Sequence, residues 1–108
     1  MSTLSCHVLD TSRGQPATHI PVQLLRFGET DCLAEGLTNA DGRFSFASLE
    51  LEAGRYCLRF VTEDYCQQHF GQCFFPQAEV VFISESSQPH YHIPLLLSGF
   101  SYSTYRGS

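Results

Sequence analysis

Lysine and tryptophan are absent from this chain of 108 residues, and methionine occurs once. Without lysine there is no side chain for a Schiff base and none for a phosphate-binding P-loop. The basic residues are six arginines, Arg13, Arg26, Arg43, Arg55, Arg59 and Arg106, set against 11 acidic groups for a net charge of −5. Arginines scattered through an acidic chain make a poor footprint for nucleic acid and a poor match to an anionic membrane surface, so neither partner is expected. No apolar run approaches membrane-spanning length, and Leu95-Leu96-Leu97 reads as a strand fragment. Met1-Ser2-Thr3-Leu4 carries neither the basic nor the apolar segment of a secretory signal. The five cysteines (Cys6, Cys32, Cys57, Cys66, Cys73) are odd in number and form no C-x-x-C pair. They fit neither a disulfide framework nor paired zinc ligands, and read instead as free, mostly buried thiols in a reducing compartment. The expected address is cytoplasmic.

What is present is a packed all-β pattern. Hydrophobic residues make up 43 % and charged residues 16 %, as in a globule with a core rather than a disordered chain. Nine phenylalanines and five tyrosines lean toward strands. Period-two alternation predicts strands over 4–10, 21–27, 32–37, 43–46, 55–61, 78–83, 90–98 and 100–105. The Asp41-Gly42 pair is a strong turn signal that places Arg43 just past the bend. One short helix is predicted over 63–69, with Thr62 at its start and Gly71 at its end. No repeat or linker divides the chain, so residues 1–108 read as a single domain: an antiparallel β-sandwich of about eight strands with one short helix.

Strand geometry sorts the chemistry, because successive side chains point to opposite faces. Cys6 and Val8 share the inward face of the first strand, and His7 and Leu9 share the outward one. Tyr91, Ile93, Leu95 and Leu97 form an apolar set for the core, which turns His90, His92, Pro94, Leu96 and Ser98 outward. Ser101, Ser103, Tyr105 and Gly107 share a face of the last strand. His19 and His69 read as solvated or packed side chains. His-x-His at 90 and 92 is compatible with part of a zinc site completed by His7, or with acid–base work by imidazoles that titrate near neutrality. The alternation does not say whether His7 and His92 meet. There is no G-x-S-x-G elbow, no H-E-x-x-H and no glycine-rich phosphate loop. The carboxylates Glu50, Glu52, Glu63 and Asp64 sit in or beside turns, the last two favourably at a helix N-terminus.

Three segments carry a resemblance that spans nearly the whole chain. They are Ser5-Cys6-His7-Val8-Leu9-Asp10-Thr11-Ser12-Arg13-Gly14-Gln15-Pro16-Ala17, then Thr38-Asn39-Ala40-Asp41-Gly42-Arg43, then His90-Tyr91-His92-Ile93-Pro94-Leu95-Leu96-Leu97-Ser98 with the ending Tyr105-Arg106-Gly107-Ser108. In these segments the chain resembles the 5-hydroxyisourate hydrolases, the transthyretin-related enzymes of urate breakdown. The ending is the most specific piece. The transthyretin carriers, which share the fold, have lysine at the His7 position, glutamate at Arg43 and threonine at His92. Cys6 stands where threonine is common, Gln15 where lysine is common, and Gly99-Phe100 where Pro-Tyr is usual.

The resemblance implies a transthyretin-like sandwich that assembles as a homotetramer, a dimer of dimers with sites at the dimer–dimer interface. It implies hydrolysis of 5-hydroxyisourate, with His7 and His92 activating water and Arg43 holding the substrate's oxygens. Tyr105 helps fix the substrate, and Ser108 with its carboxylate orients a histidine or the water. No cofactor and no metal is implied. The competing expectation is a non-catalytic transthyretin-like protein that binds a small ligand.

Overall fold

The computed structural model describes residues 1–107. The alternating segments become nine strands and one helix: β1 (Thr3–Asp10), β2 (Gln15–Pro16), β3 (Pro21–Arg26), β4 (Cys32–Leu37), β5 (Arg43–Ser45), β6 (Gly54–Val61), α1 (Glu63–Phe70), β7 (Gln77–Ser84), β8 (His90–Leu97) and β9 (Tyr102–Thr104). They build the two layers of a sandwich. One sheet runs β2-β1-β8-β9 with β5 also on β1, and the other runs β4-β3-β6-β7.

The inward sets are those that alternation selects. Leu4, Cys6 and Val8 from β1 and Tyr91, Ile93, Leu95 and Leu97 from β8 are buried against Val22, Leu24, Tyr56, Leu58 and Phe60 of the facing sheet. Burial on this scale is the main favourable term in folding. Cys6 lies in this core, where desolvation pushes its thiol up to about 12. It is therefore an inert apolar filler rather than a nucleophile. Cys57 and Cys66 are also buried, Cys73 is half-buried and Cys32 is exposed, and all five thiols are free.

Three features depart from the sequence expectation. The strand count rises by one because Gln15 and Pro16, read as part of a turn, pair with Asp10 and Leu9. The pairing of β1 with β8 is parallel, from Thr3 with His90 to Asp10 with Leu97, in a fold that is otherwise antiparallel. A parallel pair needs a long crossover, and here the whole second sheet supplies it. Thr62 starts α1 without capping it: its hydroxyl donates to the Phe75 carbonyl at 2.7 Å, so it ties the helix start to the loop before β7. Gly71 ends the helix in the left-handed region, φ 77°, as expected.

One end of the sandwich is locked by a buried acid. Asp10 accepts from the Tyr65 hydroxyl at 2.7 Å and from the Arg13 backbone N–H at 3.0 Å, which joins α1 to the end of β1. The Arg13 guanidinium reaches His69 Nδ1 at 2.8 Å, so His69 belongs to this structural network, as expected of a packed side chain. Among the described residues no helix is long and apolar enough to cross a membrane.

Candidate active site

β1 is the organising strand of the outward polar face. Its two edges bring different partners to His7. On one edge the antiparallel register sets His7 opposite Arg43 and Ser5 opposite Ser45. On the other the parallel register sets Ser5 beside His92 and His7 beside Pro94. Paired residues show their side chains on one face, so His7, Arg43, His90 and His92 share the face that alternation had assigned to His7 and His92 separately. The two histidines that the sequence left apart are diagonal neighbours, two residues out of register across adjacent strands.

Arg43 owes its place to the turn before it. The Asn39 side-chain oxygen accepts from the N–H groups of Asp41 at 2.9 Å and Arg43 at 3.0 Å, and the Gly42 carbonyl accepts from Val8 at 2.7 Å. Gly42 has φ 74°, and a Cβ there would meet the Val8 carbonyl oxygen at 2.5 Å. Both conditions demand glycine. Gly42→Ala should cost about 1–3 kcal/mol in an equilibrium unfolding measurement, because it adds backbone strain and a clash that only main-chain movement relieves. A variant as stable as the parent would remove this explanation of the turn.

The C-terminal segment reaches the same place from the other side. Gly107 bridges to His92 and donates its N–H to the His92 carbonyl at 2.8 Å. A Cβ on Gly107 would lie 2.7 Å from His92 Cδ2, so glycine is needed for the backbone to pass the imidazole edge. Arg106 turns to the other side of β8 and lays its guanidinium over the Tyr91 ring at 5.5 Å. Tyr105 is 57 % exposed. It stands at the sheet edge beside a cavity of about 290 Å³ that Phe82, Tyr91, Ile93 and Arg106 also line. No hydrogen bond joins Tyr105 to His7, Arg43 or His92 among the described residues. Ser108 lies outside the described residues.

The His7 and His92 imidazoles are held below their ordinary pKa near 6.5. Desolvation is the largest cause for each, followed by repulsion from the Arg43 guanidinium. For His92 the nearby His7 and His90 add to it, while for His7 the Asp41 backbone and carboxylate oppose it. Neutral imidazoles at pH 7 can accept a proton, as a general base must. A proton NMR titration should therefore give midpoints below 6.5 for both rings, moving up in Arg43→Gln as a repelling cation is removed. The unfolded chain takes up these protons first, so acidification through that range costs stability and raising the pH restores it. Midpoints unaffected by Arg43→Gln would rule out the guanidinium as a cause.

His90 is tied to its hydroxyl neighbours. Its Nδ1 bonds to Thr3 Oγ1 at 2.5 Å and its Nε2 to Ser5 Oγ at 3.0 Å, so both ring nitrogens are engaged by hydroxyls. Among the described residues no three His, Cys, Asp or Glu side chains converge as a metal would require. The sequence reading missed Ser5 and the steric role of Gly107. Ser5 sits two residues before His7, so alternation alone puts it on the same face, but its partner lies 87 positions away.

The two-sheet topology, with a histidine–arginine face on its outer surface, defines a transthyretin-like sandwich with an exposed polar site. The chain belongs to the HIUase/Transthyretin family, whose profile matches residues 4–107. It is 40 % identical to the 5-hydroxyisourate hydrolase of Mus musculus over 114 aligned positions, covering 99 % of this chain and 96 % of the mouse protein. Among solved structures it is similar to the Klebsiella pneumoniae 5-hydroxyisourate hydrolase, with TM-score 0.89, 42 % identity and full coverage of both chains. It is also similar to sea bream transthyretin in complex with thyroxine, with TM-score 0.84, 31 % identity and 96 % and 93 % coverage.

Proposed function

We propose that the chain hydrolyses 5-hydroxyisourate to 2-oxo-4-hydroxy-4-carboxy-5-ureidoimidazoline, a step of urate and purine catabolism. The observation that carries this reading is the register of β1, which gathers His7, His92 and the Arg43 guanidinium on one sheet face, the two imidazoles held below their ordinary pKa. The similarity to hydrolases across the full chain length supports it.

The reaction adds water across a cyclic amide. A water oxygen bonds to the ring carbonyl carbon, the C–N bond breaks, and the departing nitrogen takes a proton. His7 and His92 receive the water's proton and pass it on. The planar fork of Arg43 holds the carbonyl oxygens and the negative charge that develops there. Tyr105 helps fix the substrate, and Ser108 orients a histidine or the water.

The working form in this reading is a homotetramer, a dimer of dimers with the sites at the dimer–dimer interface. Support comes from apolar residues on the outward face, where half-buried Leu9 pairs with half-buried Leu96. Apolar surface on an outward face calls for a partner. The free thiols favour a reducing, cytoplasmic location.

The direct test mixes fresh 5-hydroxyisourate with the purified protein and follows its ultraviolet decay. Decay faster than the spontaneous rate is expected. A spontaneous rate in the presence of folded protein would overturn the enzyme reading in favour of a small-ligand binder.

A further inference from the structure

A row of hydroxyls and imidazoles runs away from the site along the outward face of β1 and β8, and the proposed reaction leaves it unused. Ser5 Oγ lies 2.7 Å from His92 Nδ1 and 3.0 Å from His90 Nε2. Thr3 Oγ1 follows at 2.5 Å from His90 Nδ1, and the Thr3 hydroxyl in turn reaches the Pro89 carbonyl at 3.5 Å. The parallel register makes this spacing a property of the sheet, since Thr3 pairs with His90 and Ser5 with His92. Each strand thus contributes alternate members of one ladder.

The far end decides which way the ladder points. A carbonyl can only accept, so with the Thr3 hydroxyl donating to Pro89 the Thr3 oxygen accepts from His90. That places the His90 proton on Nδ1 and leaves its Nε2 as an acceptor for the Ser5 hydroxyl. Ser5, having spent its only proton on His90, must accept from His92, which puts the His92 proton on Nδ1. His92 Nε2 is then left with its lone pair free, and it has no hydrogen-bond partner among the described residues. The same ladder run backwards would put a proton on Nε2 and remove the base.

We propose that Ser5, backed by His90 and Thr3, is a positioning residue that holds His92 as its Nδ1–H tautomer and so presents Nε2 as the base. The inference rests on the hydrolase reading only for what that base does. The tautomer itself can be observed without substrate. A second nitrogen's hydrogen bond is the usual means of fixing which imidazole nitrogen is free.

The test is a long-range proton–nitrogen NMR correlation of the His92 ring in the whole protein, paired with kcat and KM for 5-hydroxyisourate. The unmodified protein should show a protonated Nδ1 and an unprotonated Nε2. Ser5→Ala should lose that pattern and lower kcat about 10-fold or more with little change in KM. Ser5→Thr, which keeps the hydroxyl, should restore both. Thr3→Val, at the end of the ladder and away from the core, should shift the pattern the same way to a smaller extent.

A protonated Nε2 in the parent, or a tautomer indifferent to Ser5→Ala, overturns the proposal. A tautomer that responds while kcat does not overturns Ser5 as a positioning residue for the reaction. If the parent protein fails to accelerate decay at all, the hydrolase reading falls, and the nitrogen signals still decide the ladder.

Discussion

His92→Asn should lower turnover by about 100-fold or more, the range expected when a general base is lost. Asparagine keeps a polar, planar group of similar reach and can still bond to the Ser5 hydroxyl that lies 2.7 Å from the native Nδ1. It cannot take a proton from water and give it up again. The side chain is half-buried on the outward face, and the core set of β8 is Tyr91, Ile93, Leu95 and Leu97, so the sandwich should fold normally. The control is a thermal unfolding midpoint close to the parent's, which separates lost chemistry from lost structure. Near-normal turnover in a folded variant would reject the general-base role. The same assay on His7→Asn asks whether the second imidazole is needed to relay the proton or only to shape the site.

The second large effect is expected from removing Arg106-Gly107-Ser108. Hydrolysis should be abolished and the sandwich should remain folded. The deletion takes away the Gly107 N–H that donates to the His92 carbonyl at 2.8 Å and the guanidinium over Tyr91, both at the sheet edge. It leaves the β1–β8 ladder and the facing sheet untouched. Retained activity would show that the ending is only structural. Gly107→Ala is the finer version, because its Cβ would press on His92 Cδ2 from 2.7 Å while every other group stays. A loss of about 10-fold or more in that variant would attribute part of the deletion's effect to the placement of the His92 ring rather than to the missing Ser108.

The two effects trace to different layers of information. The inward and outward sets of β1 and β8 were legible from alternation alone, because a strand with one buried face must alternate. The Asp41-Gly42 turn and its consequence for Arg43 were legible too, since glycine is the residue that tolerates φ 74° beside the Val8 carbonyl. The helix end at Gly71 follows from the same freedom. Less legible was the start of α1, where Thr62 looked like a cap and instead bonds to Phe75. A threonine hydroxyl has several acceptors within reach once the chain has folded, and local sequence does not rank them.

The candidate site divides in the same way. His7 and His92 were picked out as outward-facing imidazoles and Arg43 as an arginine just past the Asp41-Gly42 bend, and the family resemblance joined them. Cys6 was correctly turned inward, and its raised pKa follows from that burial. Nothing local pointed to Ser5 as the neighbour of His92, or to Thr3 and His90 as the groups beyond it. Nor did a local signal say that the glycine of the ending is needed because an imidazole lies against it.

By itself, then, the sequence determined which faces are buried, where the chain turns, and which polar groups are left outside. Only the tertiary structure decided that β8 lies parallel to β1 on one edge while β5 and β2 share the other. The physical reason is that strand pairing is a contact between distant segments, formed through backbone hydrogen bonds that every sequence can make. Alternation specifies a strand's face but not its neighbour. Here the neighbour sets the chemistry: with β8 against β1, Ser5 meets His92 and the histidine–arginine face is complete.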